Sequence, residues 1–282
     1  MPSLTLADGT ALHLVQWPAT TPSATVRGTV LLVHGLGEHI GRYAHVAAHL
    51  QQQGWAVWGY DQRGHGRSGG PRGAVPAPHS LLADLGEVLA QVRRAAPAGP
   101  LVLLGHSLGG LIAGRFVAEG LAATPAPWWQ AVDALVMSSP ALDPGMNAVQ
   151  RALLTVLGPL APSLALGNGL NPAWVCSDPA VVRAYTADPL VHDRITPRLV
   201  RFIVDAGAQV RALAPQWAVP TLLLYAGADR CVAPSGSDAF AAAAPAVWVQ
   251  AQRFDGWSHE VFNEPQQALA LTALGRWLAD RF

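Results

Sequence analysis

Lysine is absent from the chain, and charged residues of any kind are scarce. All 18 basic residues are arginines, they balance 18 acidic residues, and charged residues make up 13% of the sequence. An average soluble domain carries about 25%. A chain with zero formal charge lacks the electrostatic footprint of a protein that binds nucleic acid or an anionic membrane. The composition therefore predicts no nucleic-acid partner.

Cysteine and long apolar runs are also scarce. Two cysteines, Cys176 and Cys231, do not make a disulfide framework, which favours reduced thiols in a reducing compartment. The N-terminus shows neither a basic region nor a long apolar stretch, so no signal peptide is expected. The longest apolar candidate, residues 152–166, contains glycine and prolines and is shorter than the roughly 18 residues that a membrane span requires. These absences predict a soluble, cytoplasmic protein.

Apolar residues, in contrast, make up 51% of the 282 positions, enough for one large domain or a domain with an insertion. Short apolar runs alternate with helical patterns, which predicts an α/β fold with a mostly parallel sheet flanked by helices. After an N-terminal hairpin over residues 3–17, the predicted strands are 28–34, 55–60, 101–104, 132–138, 221–226 and 247–254. The predicted helices are 43–53, 80–95, 108–121, 236–243 and 265–280.

One long segment interrupts this alternation. Between residues 143 and 217 the pattern predicts no strand, only helical pieces separated by prolines, and residues 152–177 carry no charge. We expect this segment, 143–217, to be a helical cap inserted into a core formed by residues 1–142 and 218–282. An uncharged, leucine-rich cap also suggests transient contact with a membrane or micelle.

The first candidate catalytic motif is Gly105-His106-Ser107-Leu108-Gly109, which follows a predicted strand and opens a predicted helix. This context turns the weak pattern G-x-S-x-G into the signature of a nucleophile elbow. The sharp turn strains the backbone at the serine, and the flanking glycines leave room where a side chain would clash. Ser107 is therefore the candidate nucleophile, at a helix N-terminus whose dipole favours negative charge.

A serine nucleophile needs a base and an orienting acid, which in this fold class follow it in the order acid, then histidine. His259 lies between the last predicted strand and the last helix, near the carboxyl edge of the sheet, whereas His192 lies in the cap and is interpreted as structural. Asp229 follows the preceding strand and is the favoured acid. Asp143, one strand earlier, stays open as the alternative, and Asp255 is interpreted as a turn residue.

An oxyanion hole needs two backbone N–H groups aimed at the developing charge. One is expected from Leu108, the residue after the nucleophile, and the other from the loop that follows an early strand. That loop is His34-Gly35-Leu36-Gly37, in which Leu36 is the candidate donor and the glycines allow a tight path.

Two other patterns match known motifs in part but are not interpreted as functional sites. Residues 64–69 satisfy G-x-G-x-x-G, but prolines separate them from the next helix, which argues against a dinucleotide site. His45 and His49 are four residues apart, without the glutamate of a zinc-protease motif. We therefore expect no organic cofactor and no metal.

Several motifs together resemble those of the α/β-hydrolase subgroup of monoacylglycerol lipases and lysophospholipases. They are HGLGEHIGRY (34–43), YDQRGHGRS (60–68), GHSLGG (105–110), ADPL (187–190), AGADR (226–230) and the His259 loop. The resemblance implies a triad of Ser107, Asp229 and His259, with Leu36 and Leu108 as oxyanion donors.

The same resemblance implies that Glu38 and Arg42 help to receive glycerol at a polar end of the site. The animal enzyme has a further histidine three residues after the catalytic one, where this chain has Phe262. The replacement of this histidine by Phe262 changes the residues expected to contact the alcohol part of the substrate.

The combined prediction is a serine hydrolase that cleaves monoacylglycerol, or a lysophospholipid-like single-chain ester, to a fatty acid and an alcohol through an acyl-enzyme. The expected partner is thus a small, lipid-like ester. Three alternatives stay open: a broad carboxylesterase for short-chain or xenobiotic esters, an aminopeptidase-like hydrolase, and a ligand-binding protein of the same fold without turnover.

Overall fold

A sheet of eight strands forms the centre of the computed structural model, which describes residues 3–19, 26–96 and 98–282. Ten strands occur in the described ranges, and two of them, β7 and β8, lie outside this sheet. In chain order the ten are β1 (Ser3–Thr5), β2 (Ala11–Trp17), β3 (Gly28–Val33), β4 (Trp55–Tyr60), β5 (Leu101–His106), β6 (Ala134–Ser138), β7 (Leu166–Gly167), β8 (Arg194–Ile195), β9 (Thr221–Ala226) and β10 (Val249–Phe254). The order across the sheet is β1-β2-β4-β3-β5-β6-β9-β10. β2 is antiparallel to both of its neighbours and all other pairs in this sheet are parallel.

The central strands are continuous apolar runs because both of their faces are covered. Every residue of β3, β4, β5 and β9 is buried. The predicted strands are all present, although two begin two residues later than expected, at Ala134 and Val249. β5 continues two residues beyond its predicted end, to His106, so that the strand runs directly into the elbow.

Eight α-helices occur among the described residues. They are α1 (Ala44–Gln52), α2 (Ser80–Ala95), α3 (Leu108–Glu119), α4 (Ala148–Leu160), α5 (Pro179–Ala187), α6 (Pro197–Leu213), α7 (Pro234–Ala243) and α8 (Gln267–Ala279). The apolar sides of α1 and α8 pack against one face of the sheet, and those of α2, α3, α6 and α7 pack against the other. Within the described ranges, no helix has the length and apolar character required to cross a membrane.

The segment between β6 and β9 contains α4, α5 and α6, which interrupt the alternation of strands and helices. The expectation that it holds no strand is wrong, because β7 and β8 form a two-stranded antiparallel pair, Leu166 opposite Ile195 and Gly167 opposite Arg194. Each strand has only two residues, too few to show a period of two. α6 contributes seven buried residues, whereas α4 buries only Leu154 and α5 buries none.

Candidate active site

The turn between β5 and α3 holds Ser107 in a strained backbone conformation. Its φ is 55° and its ψ is −119°, a region that residues other than glycine rarely adopt. Glycines on either side make this turn possible, because a Cβ at Gly105 would overlap the carbonyl of Gly109, and one at Gly109 would overlap the carbonyl of Val33. The backbone therefore has the form of a nucleophile elbow.

Three side chains from separate loops meet at this elbow. Ser107 Oγ lies 2.8 Å from His259 Nε2, and His259 Nδ1 lies 2.6 Å from Asp229 Oδ2. With Nδ1 protonated, the imidazole donates to the carboxylate and accepts from the hydroxyl. Asp229 follows β9 and His259 follows β10, so both side chains lie at the carboxyl edge of the sheet where β5 ends.

The electrostatics of this group favour a histidine that can take up a proton. Burial of the His259 ring opposes its charged form, but the charge and hydrogen bond of Asp229, together with the charges of Glu260 and Glu38, raise the pKa of His259 above its ordinary value. Burial likewise works to raise the pKa of Asp229, but His259 and the backbone N–H groups of Cys231 and Val232 hold the pKa of that carboxyl below its usual range. Asp229 therefore stays ionised beside a histidine that can accept a proton.

The loop after β3 passes beside Ser107. A Cβ placed on Gly35 would lie 3.1 Å from the Cβ of Ser107, which shows how closely this loop approaches the elbow. Leu36 and Leu108 both line the same cavity as Ser107. Leu108 is the first residue of α3, where backbone N–H groups have no intrahelical acceptor.

Glu38 and Arg42, the two residues assigned to substrate by resemblance, lie in a buried network. Glu38 Oε1 accepts from Gly35 N at 2.6 Å and from the Tyr43 hydroxyl at 2.7 Å, and Arg42 Nη1 donates to Glu38 Oε2 at 2.5 Å. Arg42 also forms a bidentate pair with Glu260, at 2.6 and 2.7 Å. The lining of the cavity at Ser107 includes neither Glu38 nor Arg42.

Sequence reasoning missed Glu260 and Tyr43. Glu260 directly follows His259 in the chain, and this adjacency was the one available signal. Its pairing with Arg42 joins positions 218 residues apart and cannot be inferred from either local pattern.

A cavity of about 490 Å³ is lined by Ser107 and by residues of the segment between β6 and β9. Its lining is mainly apolar and includes Leu153, Leu154, Leu157, Leu170, Trp174, Val200 and Ile203. One charged residue, Arg230, belongs to the lining in the described part of the chain, and its guanidinium lies 4.8 Å from the centre of the Trp174 ring. Such a cavity suits a single apolar chain better than a charged ligand.

The residues considered as alternatives lie elsewhere or have other partners. Asp143 Oδ1 accepts from Gly145 N at 2.9 Å, and Asp255 Oδ1 accepts from Arg253 Nε at 2.8 Å. His192 donates its backbone N–H to the Gly37 carbonyl at 2.8 Å. Neither Asp143 nor Asp255 is hydrogen-bonded to His259 in the structure.

One group among the described residues has metal-ligand chemistry. The potential ligand atoms of Asp229, Cys231 and His259 lie within 4.8 Å of one another. The close hydrogen bond between Asp229 and His259 already uses two of these groups. Burial raises the pKa of the Cys231 thiol.

The parallel sheet, the strained elbow and the inserted helices define an α/β-hydrolase, and comparisons with known proteins agree. Residues 24–266 match the family described as serine aminopeptidase S33. A monoacylglycerol lipase of Mycolicibacterium smegmatis is 36% identical, over 92% of this chain and 90% of that protein. The crystal structure of the Paleococcus ferrophilus monoacylglycerol lipase is similar with a TM-score of 0.84 and 31% identity, over 96% of this chain and 99% of that one.

A longer relative shares the same region. An abhydrolase domain-containing protein of Dictyostelium discoideum is 32% identical over 99% of this chain, which spans 29% of that protein's length. The chain belongs to the α/β-hydrolase family described as serine aminopeptidase S33, in the subgroup of the monoacylglycerol lipases. The predicted fold class and family resemblance are thereby confirmed.

Proposed function

We propose that this protein is a serine hydrolase that cleaves monoacylglycerols, or similar single-chain esters, with Ser107, His259 and Asp229 as its catalytic triad. The observation that carries the proposal is the hydrogen-bonded series from Asp229 through His259 to Ser107, placed at a mainly apolar cavity. The mycobacterial and archaeal relatives that bear the name monoacylglycerol lipase support the substrate class.

In the proposed acylation step, His259 Nε2 takes the hydroxyl proton while Ser107 Oγ attacks the ester carbonyl carbon. The negative charge on the carbonyl oxygen is stabilised by the backbone N–H groups of Leu36 and Leu108. Asp229 keeps Nδ1 protonated and stabilises the imidazolium. His259 then returns the proton to the departing alcohol, and the acyl group stays on Ser107.

Deacylation repeats the sequence with water. His259 removes a proton from the water molecule, the resulting hydroxide attacks the acyl carbon, and the same N–H groups stabilise the second oxyanion. Collapse of this intermediate transfers the proton from His259 to Ser107 Oγ and releases the fatty acid. The cycle consumes one water and requires no redox step.

The apolar cavity supports an acyl chain as the group bound beneath the cap. Leu153, Leu154 and Leu157 of α4 face it together with Val200 and Ile203 of α6. Burial of methylene groups against such side chains favours a long chain by about 0.8 kcal/mol for each group. The same lining argues against an aminopeptidase, since Arg230, its charged residue, would repel a free amine.

The alcohol end of the substrate is less defined. A role for Glu38 and Arg42 in binding glycerol stays a prediction, because a substrate hydroxyl would compete with Gly35, Tyr43 and Glu260 for their polar atoms. Phe262, at the position of the additional histidine of the animal enzyme, is buried and offers no polar group.

We propose further that residues 143–217 act as the cap over this cavity and touch the lipid surface from which substrate arrives. Exposed apolar side chains are concentrated there: Val149, Leu153, Val156, Leu160, Leu164 and Leu166. An accumulation of exposed apolar side chains in one segment favours an interaction site. We expect this contact to be transient.

Substitution of the nucleophile tests the proposal. We expect Ser107→Ala to abolish hydrolysis of monoacylglycerols while leaving the melting temperature close to that of the wild type. Turnover by the wild type should rise with acyl length beyond two carbons and should be weak on amino-acid amides. Full activity in Ser107→Ala, or a preference confined to acetyl esters, would contradict the proposal.

A further inference from the structure

Glu260, the neighbour of His259 in the chain, connects the two loops on which the proposed chemistry depends. Its carboxylate forms a bidentate pair with Arg42, and Arg42 also binds Glu38. We propose that Glu260 is a positioning residue, which holds the His259 loop and the loop that carries Leu36 in one fixed arrangement. This inference rests on the proposed triad.

The connection consists of short, charge-assisted hydrogen bonds. Gly35 N donates to Glu38 Oε1 at 2.6 Å, Arg42 Nη1 donates to Glu38 Oε2 at 2.5 Å, and the two pairs from Arg42 to Glu260 measure 2.6 and 2.7 Å. Bidentate arginine pairs fix direction as well as distance. The position of the backbone next to Leu36 is thereby linked to the residue next to His259.

The network is buried, so its parts cannot exchange easily with water. Glu38 and Glu260 are 3% and 5% exposed, and the ring of Tyr185 covers Arg42 at 4.8 Å. The backbone N–H of Glu260 donates to the Val175 carbonyl, and Asn263 Nδ2 donates to Glu260 Oε2 at 2.8 Å. Because all four carboxylate oxygens of Glu38 and Glu260 accept hydrogen bonds, and both Nη atoms of Arg42 donate them, the buried network is rigid.

Positioning at this point matters for catalysis because oxyanion donors and base must act on the same substrate carbon. Leu36 comes from the loop after β3 and His259 from the loop after β10, strands at different places in the sheet. Misplacement of a reacting group by about 1 Å costs roughly 100-fold in rate. A direct link between the two loops limits that error.

The network also contributes charge. One guanidinium, Arg42, lies between two carboxylates, so the group has an excess of one negative charge close to His259. The charged and titratable groups around the His259 ring include Asp229, Glu260, Glu38 and the Cys231 thiol, with the His106 ring centred 4.7 Å away. Both Glu260 and Glu38 raise the pKa of His259, after the larger effects of burial and of Asp229.

Two variants of Glu260 separate its effect on the position of the loops from its effect on the charge near His259. Glu260→Gln removes the charge and weakens the pair with Arg42, so we expect kcat to fall roughly 10- to 100-fold. KM should change little, and the acid limb of the kcat/KM profile should move to lower pH. Glu260→Asp keeps the charge but shortens the reach by one methylene, so kcat should fall while the acid limb stays in place.

Glu264→Gln is the matched control. Glu264 lies in the same loop and is 2% exposed, but its carboxylate accepts from the backbone N–H and hydroxyl of Ser177, not from Arg42. We expect its kcat and acid limb to match those of the wild type, whatever its melting temperature. Each variant is assayed on a water-soluble ester, after thermal unfolding shows that it is folded.

Several results would overturn the inference. They are a folded Glu260→Gln with wild-type kcat, a fall in kcat without movement of its acid limb, movement of the limb without a fall in kcat, or the same loss in Glu264→Gln. If Glu260→Gln does not fold, a wild-type kcat in Glu260→Asp overturns it. Activity in Ser107→Ala contradicts the triad itself, so the two proposals fail separately.

Discussion

The imidazole Nε2 of His39 lies 2.8 Å from Asp188 Oδ2, and this pair joins the loop that carries Leu36 to the end of α5. A second bond, from the backbone N–H of His192 to the Gly37 carbonyl at 2.8 Å, lies four residues further along the same segment. The proposed cap is thus attached directly to the proposed oxyanion loop. Movement of one part would change the position of the other.

Asp188→Asn should destabilise the protein modestly by removing the carboxylate of this pair, by about 0.5–1 kcal/mol at neutral pH. Burial works to raise the pKa of Asp188, but the hydrogen bond from His39, the backbone N–H of Leu190 and the positive charge of Arg42 together hold the pKa below its usual range. A lowered carboxyl pKa gives stability that is present at neutral pH and is lost as the pH falls through the folded-state value. The difference between variant and wild type should therefore shrink in acid.

Urea unfolding at a series of pH values measures this difference. Asp193→Asn is the control, since Asp193 lies in the same segment but forms an exposed pair with Arg194 at 3.2 Å. Equal stability of the wild type and both variants at neutral pH would contradict the prediction.

Asp229→Asn should reduce kcat by about 10⁴-fold, because the amide no longer stabilises the imidazolium or selects its tautomer. The wild-type pKa of His259 is raised by Asp229, so activity is lost as the pH falls through that raised value. Removal of the charge lowers the pKa of His259, and the acid limb of kcat/KM should move to lower pH.

Asp143→Asn serves as the comparison for this prediction, since Asp143 is the alternative acid by position in the chain. Its carboxylate accepts from Gly145 N, and its loss should leave kcat and the acid limb near their wild-type values. Steady-state rates across the pH range decide between the two. A larger loss in Asp143→Asn than in Asp229→Asn would show that the acid is misassigned.

Gly37→Ala should lower both stability and kcat. Gly37 has a φ of +77°, and a Cβ there would overlap the His192 carbonyl, so the substitution pushes the cap away from the oxyanion loop. The backbone strain alone costs about 1–2 kcal/mol. Thermal unfolding and kcat on a soluble ester measure the two effects.

Gly9→Ala is the control that separates backbone strain from overlap with the His192 carbonyl. Gly9 has a φ of +83° in the turn between β1 and β2, and no atom lies within 4 Å of the position of a Cβ there. This variant should lose a similar amount of stability from strain but keep its kcat. Wild-type kcat in Gly37→Ala would show that the contact with the cap does not affect the site.

Leu160→Glu should weaken adsorption to lipid. Leu160 is 78% exposed at the end of α4 and does not line the cavity. Loss of its burial in a lipid interface removes about 1.5 kcal/mol or more, roughly tenfold in affinity. We expect slower hydrolysis of long-chain monoacylglycerol in micelles and unchanged turnover of a soluble short-chain ester.

Leu269→Glu is the matched comparison on the opposite side of the sheet, in α8, where Leu269 is 59% exposed. This variant should sediment with lipid vesicles to the same extent as the wild type. It should also hydrolyse the long-chain and the short-chain substrate at wild-type rates. An equal loss in both variants, or no loss in Leu160→Glu, would contradict a role for the cap surface in lipid contact.

Much of the fold was predictable because burial on both faces leaves a local mark. The apolar runs of β3, β4, β5 and β9 indicate strands, and glycines on either side of Ser107 indicate the elbow. The pair β7 and β8 was not predicted, since a strand of two residues has no period to recognise. Its pairing depends on a fold that brings Leu166 to Ile195.

The candidate site was also predictable only in part. Candidates for nucleophile, base and acid were accessible because each follows a predicted strand, and parallel strands place their carboxyl ends at one edge. The choice of Asp229 over Asp143 as the partner of His259 depends on distances that a chain order does not contain. The structure brings the first to 2.6 Å and leaves the second bound to Gly145.

The sequence by itself determined the α/β class, the elbow at Ser107 and the family, since apolar periodicity, glycine positions and short motifs are local properties. Only the tertiary structure decided that Arg42 binds Glu38 and Glu260 at once, and that the cavity passes beneath α4 without reaching either carboxylate. The physical reason is that a buried ion pair depends on where separate loops meet. Such meetings are set by the packing of the whole sheet and its helices, not by the residues next to each partner.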